Sequence, residues 1–319
     1  MAQPGPIVKV VVPVAGLGTR LLPATKSQPK EMLPVGRRPV VQYVVEELQA
    51  AGLRQILFVT GRKKTAIEDH FDPDPELVRT LSSGGGYELL SELEYTDTGA
   101  RFFYTRQSVP RGLGDAVGHA REFAGDEHFA VALGDSIIWP AEGWPRSGTA
   151  GASTREGASL LRDMIAVHLA NGAACTLAVE EVDPAEVYRY GIVKPKGEAE
   201  IEASEAWPFA VEDLIEKPRV GSAPSNLAIA ARYVFGPDIF EAIRRTAPDR
   251  NGDLQLTDAI RLLLQLGHRV QAVRLRPNER RYDIGNFESY FKAFIDFALA
   301  DEKYGYMVRQ YVKRKAREF

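Results

Sequence analysis

The sequence predicts an α/β protein built on a mainly parallel sheet, and three observations carry that prediction. Val10 to Val14 is an almost unbroken apolar run, the pattern of a strand buried on both faces. A glycine-containing loop follows, then a helical pattern opened at Pro39, in which Val40, Val41, Val44, Val45 and Leu48 recur before Gly52 ends it. Gln55 to Thr60 is a second buried run, so strand, loop, helix and strand form a βαβ unit with a right-handed crossover. Ligands in such sheets bind beyond the carboxyl ends of the strands, where the first loop must lie.

That loop reads Ala15-Gly16-Leu17-Gly18-Thr19-Arg20. Gly16 and Gly18 allow main-chain N–H groups to approach an anion closely, and Arg20, Lys26 and Lys30 add side-chain charge for phosphate oxygens. The dinucleotide fingerprint would need glycine or alanine where Leu21 stands, and Pro23 follows too soon for its long helix. The Walker pattern fails because no glycine precedes Lys26 or Lys30. A glycine loop alone is equally well a structural turn. GLGTRLLP followed by PKEMLP sets cations, glycines and prolines at fixed offsets, and that combination points to a phosphate site.

Residues 62–70 read as a polar-faced helix, with His70 as a surface or packing side chain, and 82–86 (SSGGG) as a flexible connection. Phe102 to Gln107 is a third strand, leading into Gln107, Gly112 and Gly114. A side-chain amide beside a second glycine turn has the donor and acceptor needed to read a base edge; an ordinary strand-to-helix turn is the competing reading. Phe129 to Leu133 is a fourth buried strand ending in Gly134-Asp135, where a carboxylate either holds Mg²⁺ or caps a turn. Residues 139–157 form a surface excursion rich in Pro, Gly, Ser and Thr.

A helix from Ser159 to Asn171 leads to strands Ala174–Val182, Tyr190–Lys194 and Val211–Lys217. Glu216 can accept from sugar hydroxyls while Lys217 neutralises a phosphate; an exposed ion pair is the alternative. Leu227 to Phe235 is another strand, followed by helices Asp238–Thr246 and Leu256–Leu266 and the strand Val270–Arg276. Asp283, before Ile284-Gly285, is a turn former or a ligand. Phe287, Tyr290, Phe291, Phe294 and Phe297 form an aromatic helical stripe over 287–299, which predicts core or a subunit interface. The basic tail from Lys303 reads as a solvated helix.

At 319 residues the length suits two domains or one large α/β domain, and 45% apolar with 26% charged residues is ordinary for a globular protein. A net charge of −3 gives no global attraction to nucleic acid or an anionic membrane. Cys175 is the only cysteine, which excludes an intrachain disulfide and fits a reducing compartment. MAQPGP is no signal peptide, and no apolar run approaches the ~20 residues of a membrane span. These features predict a soluble cytoplasmic enzyme without a metal-binding Cys/His cluster or a nucleophile–base arrangement.

Together the blocks PVAGLGTRLLPATKSQPKEMLPV, VQYVVEEL, HFD, RQ, GLGDAV, LGD, YG, EKP, PSNLAIAARYV, QLTDAI and YDIGN resemble the bacterial UTP–glucose-1-phosphate uridylyltransferases, from about Val8 to Gly305. The resemblance implies a Rossmann-like mixed sheet flanked by helices and Mg²⁺-dependent conversion of UTP and glucose 1-phosphate into UDP-glucose and pyrophosphate. It implies a nucleotide-binding part over about 8–138, a sugar-binding part over about 158–285 and C-terminal helices over about 286–302. These would complete a domain over 1–302, with 303–319 as the basic tail, in a homo-oligomer (dimer or tetramer).

By motif, Ala15, Gly16 and Gly18 would line nucleoside and phosphates, Arg20 would hold the triphosphate, and Lys30 would contact phosphate near the reacting centre. Gln107, Gly112 and Gly114 would read uracil. Asp135 and Asp283 would organise Mg²⁺, Gly191 and Glu216 would bind glucose, and Lys217 its phosphate. Asp115 departs from the histidine often found in GLGHAV, which bears on base or ribose contacts. The related thymidylyltransferases share the loop and aspartates, so dTTP is the alternative substrate. A non-catalytic nucleotide-sugar sensor would be free to lose Lys30, Asp135 or Lys217, and all three are present.

Overall fold

The computed structural model describes residues 5–93, 95, 99–139, 159–197, 208–277 and 279–318. Strand β1 (Lys9–Pro13) buries Val10, Val11 and Val12 completely, as its apolar run requires. Three single helical turns, a hairpin of β2 (Pro34–Val35) and β3 (Arg38–Pro39), and helix α1 (Val40–Ala50) lead to β4 (Gln55–Thr60). Strands β1 and β4 pair in parallel from Lys9–Gln55 to Pro13–Val59, so the βαβ unit forms as expected. Pro39 stands just before the helix, because it also closes the hairpin.

Between β4 and β5 (Arg101–Arg106) lie α2 (Thr65–Phe71), α3 (Pro75–Ser83) and α4 (Tyr87–Ser91). The expected flexible connection over 82–86 is therefore corrected. Pro75 opens α3, and the Asp74 carboxylate accepts from the N–H groups of Glu76 and Leu77 at 3.1 and 2.9 Å. Ser82 and Ser83 end that helix, their hydroxyls donating back to the carbonyls of Val78 and Arg79. Only residues 84–86 form the turn to α4.

The chain continues through α5 (Leu113–Gly118), α6 (Arg121–Ala124), β6 (Phe129–Ala132) and β7 (Ser136–Trp139). Next come α7 (Ser159–Asn171), β8 (Cys175–Glu181), β9 (Gly191–Pro195), β10 (Phe209–Glu216) and β11 (Leu227–Phe235). Last are α8 (Asp238–Arg245), α9 (Leu256–Gln265), β12 (Val270–Arg274), β13 (Arg280–Asp283), α10 (Phe287–Ala300) and α11 (Gly305–Lys315), the latter formed by the basic tail. Of the excursion expected over 139–157, only Trp139 is described, at the end of β7; the rest lies outside the described residues.

Nine strands form one sheet in the order β5-β4-β1-β6-β11-β8-β12-β10-β9. Followed through their pairings, β1, β4, β5, β6, β8, β9 and β12 point one way, while β10 and β11 oppose them. The sheet is thus mixed and mainly parallel. β9 also meets β11 at Ile192 and Ala228, so the last five strands close on themselves.

Alternation along the strands fills an apolar layer on each face. Val10, Val12, Ile56 and Phe58 pack with α1, α2 and α7, while Val11, Leu57, Val59 and Val131 pack with α5, α8 and α9. Each such side chain contributes about 1.5–3 kcal/mol, so a one-residue slip would forfeit the whole set. A third cluster joins Leu21, Leu33, Val35 and Tyr43 to Ile137, Ile284 and Phe297, tying the loops after β1 to α10. The aromatic stripe of α10 divides: Phe297 is core, whereas Phe291 and Phe294 are 56% and 38% exposed. No described helix is long and apolar enough to cross a membrane.

Candidate active site

The loop after β1 carries Ala15, Gly16 and Gly18. Gly18 adopts φ +67, and a Cβ there would press to 3.2 Å from Thr25 and 3.3 Å from Lys30. A Cβ on Gly16 would sit 3.6 Å from the Lys30 Nζ, so the ammonium lies directly over that glycine. The Thr25 hydroxyl donates to the Gly18 carbonyl at 2.7 Å and closes the loop. Arg20 is exposed at its end, while Lys26 stands exposed on the next turn and does not line the cleft.

Lys30 reaches across to β6 and donates to the Asp135 carboxylate. Asp135 owes its place to the β7–β13 ladder, whose register sets Ser136 opposite Asp283, and to the Ile284 N–H, which donates to the Asp135 carbonyl at 2.9 Å. Two aspartates distant in sequence thus share one rim. Gly285 leaves room beside them: a Cβ there would lie 3.1 Å from both an Arg20 guanidinium nitrogen and an Asp283 carboxylate oxygen. Burial works against ionising Asp135, but the Lys30 ammonium outweighs it and holds the carboxyl below its usual range. Burial, reinforced by the negative charge of Asp135, pushes Asp283 above it.

Paired carboxylates in mutual repulsion are the hard-oxygen donor set that a divalent magnesium ion takes. The neighbouring Ser136 hydroxyl is buried without a hydrogen-bond partner. Among the described residues no group of three or more His, Cys, Asp or Glu side chains is placed to hold a metal. The protein would therefore supply two ligands, and phosphate oxygens and water the others. On chemistry of donors, the residues fit Mg²⁺.

Gly191, Glu216 and Lys217 line the same cleft as Asp135 and Asp283. The Thr257 hydroxyl donates to Glu216 at 2.7 Å, and a Cβ on Gly191 would lie 2.9 Å from that hydroxyl and 3.1 Å from Glu216. Lys217 adopts φ +46, with its N–H donating to the Tyr190 carbonyl at 2.9 Å and its ammonium 3.2 Å from Glu216. Arg20, Asp135, Gly191, Glu216, Lys217 and Asp283 all line one cleft of about 400 Å³.

Gln107, Gly112 and Gly114 do not themselves line the cleft. Leu113 lines the cleft, and the glycines on either side of it pack on Leu254: a Cβ would come within 2.6 Å of that residue at Gly112 and 2.2 Å at Gly114. Gly112 also holds φ +91, so both positions demand glycine for packing, whatever they meet on the cleft side. Gln107 is 3% exposed, and its amide nitrogen donates to Asp115 at 2.6 Å and to the Gly112 carbonyl at 3.3 Å.

Sequence reasoning missed the supports. Arg281 lines the cleft, pairs with Glu180, lies 4.0 Å from Asp283 and stacks 5.3 Å from the Tyr190 ring. Arg232, fully buried on β11, makes a bidentate pair with Glu47 of α1 at 2.6 and 3.0 Å and donates to the Ser136 carbonyl at 2.9 Å. An arginine inside the apolar run Leu227–Phe235 was the available signal, since a buried guanidinium demands a partner. His70 bonds Gln42 at 3.1 Å and stacks on Tyr95, and burial lowers it to about pKa 4, as fits a packing histidine.

The sequence profile of the family described as nucleotidyl transferase matches residues 9–142 and 154–299. The chain is 40% identical over 313 residues to UTP–glucose-1-phosphate uridylyltransferase 1 of Staphylococcus saprophyticus, covering 98% of this chain and 97% of that one. It is 41% identical over 295 residues to UTP–glucose-1-phosphate uridylyltransferase of Bacillus subtilis, covering 92% of each. Among solved structures, the UTP-bound UGPase from Acinetobacter baumannii superposes with a TM-score of 0.81 at 36% identity, over 96% of this chain and 98% of that one.

Proposed function

Because this chain belongs to the nucleotidyl transferase family, on its UTP–glucose-1-phosphate uridylyltransferase branch, we propose that it transfers uridylyl from UTP to α-D-glucose 1-phosphate, giving UDP-glucose and pyrophosphate. The observation that carries this reading is the cleft itself, which brings Arg20, Asp135 and Asp283 together with Glu216 and Lys217. Two anionic substrates can meet there beside the cations of Arg20 and Lys217.

The sugar phosphate oxygen attacks the α-phosphorus of UTP in line with the departing pyrophosphate. A phosphate monoester has a second pKa of ~6 and is largely dianionic at neutral pH, so its attack needs no general base. Such chemistry calls for charge at the phosphates and not for a nucleophile–base pair. Bringing two polyanions together dominates the barrier, and positioning with charge neutralisation lowers it. Gly16 and Gly18 let the main chain approach the phosphates, Arg20 holds the triphosphate, and Lys30 stands over Gly16 near the reacting centre. Mg²⁺ held by Asp135 and Asp283 would supply further neutralisation at the phosphate oxygens. Gly191 and Glu216 orient glucose, Glu216 being aimed by the Thr257 hydroxyl, and Lys217 binds the glucose phosphate.

The exposed Phe291, Ile295, Tyr306 and Met307 on the last two helices support self-association, and the buried thiol of Cys175 suits a reducing, cytoplasmic setting. Pyrophosphate release measured with glucose 1-phosphate and each of UTP, dTTP, CTP and ATP tests the reading. UTP should give the highest kcat/KM, with measurable use of dTTP, because one methyl is worth only ~1–3 kcal/mol. Preference for ATP, or no release with any sugar 1-phosphate, would overturn it. Lys217→Ala should raise KM for glucose 1-phosphate about tenfold or more, the worth of one charge-assisted contact, with little change in KM for UTP. Titration of each substrate against the variant checks this, and the reverse pattern would move Lys217 to the nucleotide.

A further inference from the structure

We propose that Asp115 is a positioning residue for base selection: it pins the Gln107 side-chain amide so that only its carbonyl oxygen faces an incoming base. The cleft then accepts pyrimidines that carry an imino N–H and rejects cytosine. This rests on the uridylyl-transfer reading and supplies its specificity.

The pinning follows from hydrogen-bond polarity. The Gln107 Nε2 donates to the Asp115 Oδ2 at 2.6 Å and to the Gly112 carbonyl at 3.3 Å. A carboxylate and a carbonyl can only accept, so the nitrogen end of the amide must face them. Turning the amide over would bring two oxygens together at that 2.6 Å separation. Both amide hydrogens are thereby committed, and the Gln107 side chain makes no other hydrogen bond to a described residue.

Each partner is itself fixed. The Gln107 N–H donates to the Thr60 carbonyl at 2.9 Å, which locks the end of β5 beside β4. Gly112 is held at φ +91 against Leu254, whose N–H donates to the Arg111 carbonyl and whose carbonyl accepts from the Gly114 N–H, both at 2.8 Å. Asp115 lies in the first turn of α5, with the His119 ring nitrogen 3.6 Å from the same carboxylate oxygen one turn on. Gln107, only 3% exposed, has no room to solve the conflict by swinging into solvent.

Uracil and thymine both present N3–H to the Oε1 of Gln107, whereas N3 of cytosine is an acceptor and would set lone pair against lone pair. An amide is nearly symmetric in shape, so without Asp115 only the longer 3.3 Å contact to the Gly112 carbonyl would oppose its turning over. The carboxylate, at the shorter distance of 2.6 Å, supplies most of the asymmetry.

The test measures kcat/KM for UTP, CTP and dTTP with glucose 1-phosphate, using the full chain. The wild type should favour UTP over CTP by about a hundredfold or more, the scale set by an unpaired polar group in a built site. In Asp115→Asn the new amide can donate to Gln107, which is then free to turn. The UTP/CTP ratio should fall about tenfold or more while the dTTP/UTP ratio stays unchanged, because both bases share the imino group. Asp115→Ala removes the acceptor without adding a donor and should give a smaller fall in the same direction. In a Gln107→Ala background, Asp115→Asn should not move the ratio further. An unchanged UTP/CTP ratio in both Asp115 variants would overturn the proposal and leave uridylyl transfer standing. A wild type that uses CTP as well as UTP would likewise overturn the proposal, while no release with UTP would overturn uridylyl transfer itself.

Discussion

Asp135→Asn should lower kcat about a thousandfold in Mg²⁺ while leaving the fold intact, comparable to removing a preorganised electrostatic partner from an active site. The substitution keeps the shape of the side chain and removes the charge that faces Lys30 and, with Asp283, makes up the proposed Mg²⁺ site. The turn that carries it is held by main chain, through the Ile284 N–H to the Asp135 carbonyl and the β7–β13 ladder, and neither depends on the carboxylate. Steady-state turnover with a thermal melt of the same preparation separates chemistry from folding. Near-normal turnover would remove Asp135 from the machinery.

Arg232→Met should cost about 3–5 kcal/mol of stability, the penalty for leaving one partner of a buried ion pair without the other. Its guanidinium is fully buried, and the Glu47 side chain is 2% exposed. Losing the arginine strands the carboxylate and releases the Ser136 carbonyl it holds at 2.9 Å, next to Asp135. Denaturant unfolding of Arg232→Met beside the double variant Arg232→Met/Glu47→Leu checks the cause. The double variant should recover most of the loss, because an apolar pair needs no counter-charge. A double variant as unstable as the single would locate the cost in packing instead.

Much of the frame was legible because local pattern and tertiary burial agree. Val10–Val14 is apolar on both faces because two helical layers cover it, and Val40–Leu48 recurs with the helical period because one face of α1 meets that sheet. The candidate site was legible where glycines, cations and carboxylates fall at strand ends: the loops after the parallel strands β1 and β6 leave one edge of the sheet. Glu216 and Lys217 instead stand at the end of β10, which runs against its neighbours, and reach the cleft through its pairing with β9. What escaped was set by long-range pairing. β7 and β13 are four residues each and carry no pattern of their own, yet their register brings Asp135 to Asp283. Arg281 reads as one of two adjacent arginines until Glu180, remote in sequence, is placed against it. The helices over 75–91 were missed because glycines and serines near their junction outweighed the Asp74-Pro75 start signal, which is local and sufficient. Asp115 was visible only as a departure from a motif, and its consequence required the position of the Gln107 amide.

In the proposed reaction the cleft neutralises two polyanions well enough for one phosphate to attack another directly, without an enzyme-bound intermediate. UTP made chiral at the α-phosphorus by a sulfur substitution, turned over with glucose 1-phosphate, reports the number of displacements. A single in-line attack predicts a UDP-glucose analogue inverted at that phosphorus. Retention would require the uridylyl group to pass through the protein, and would contradict the account.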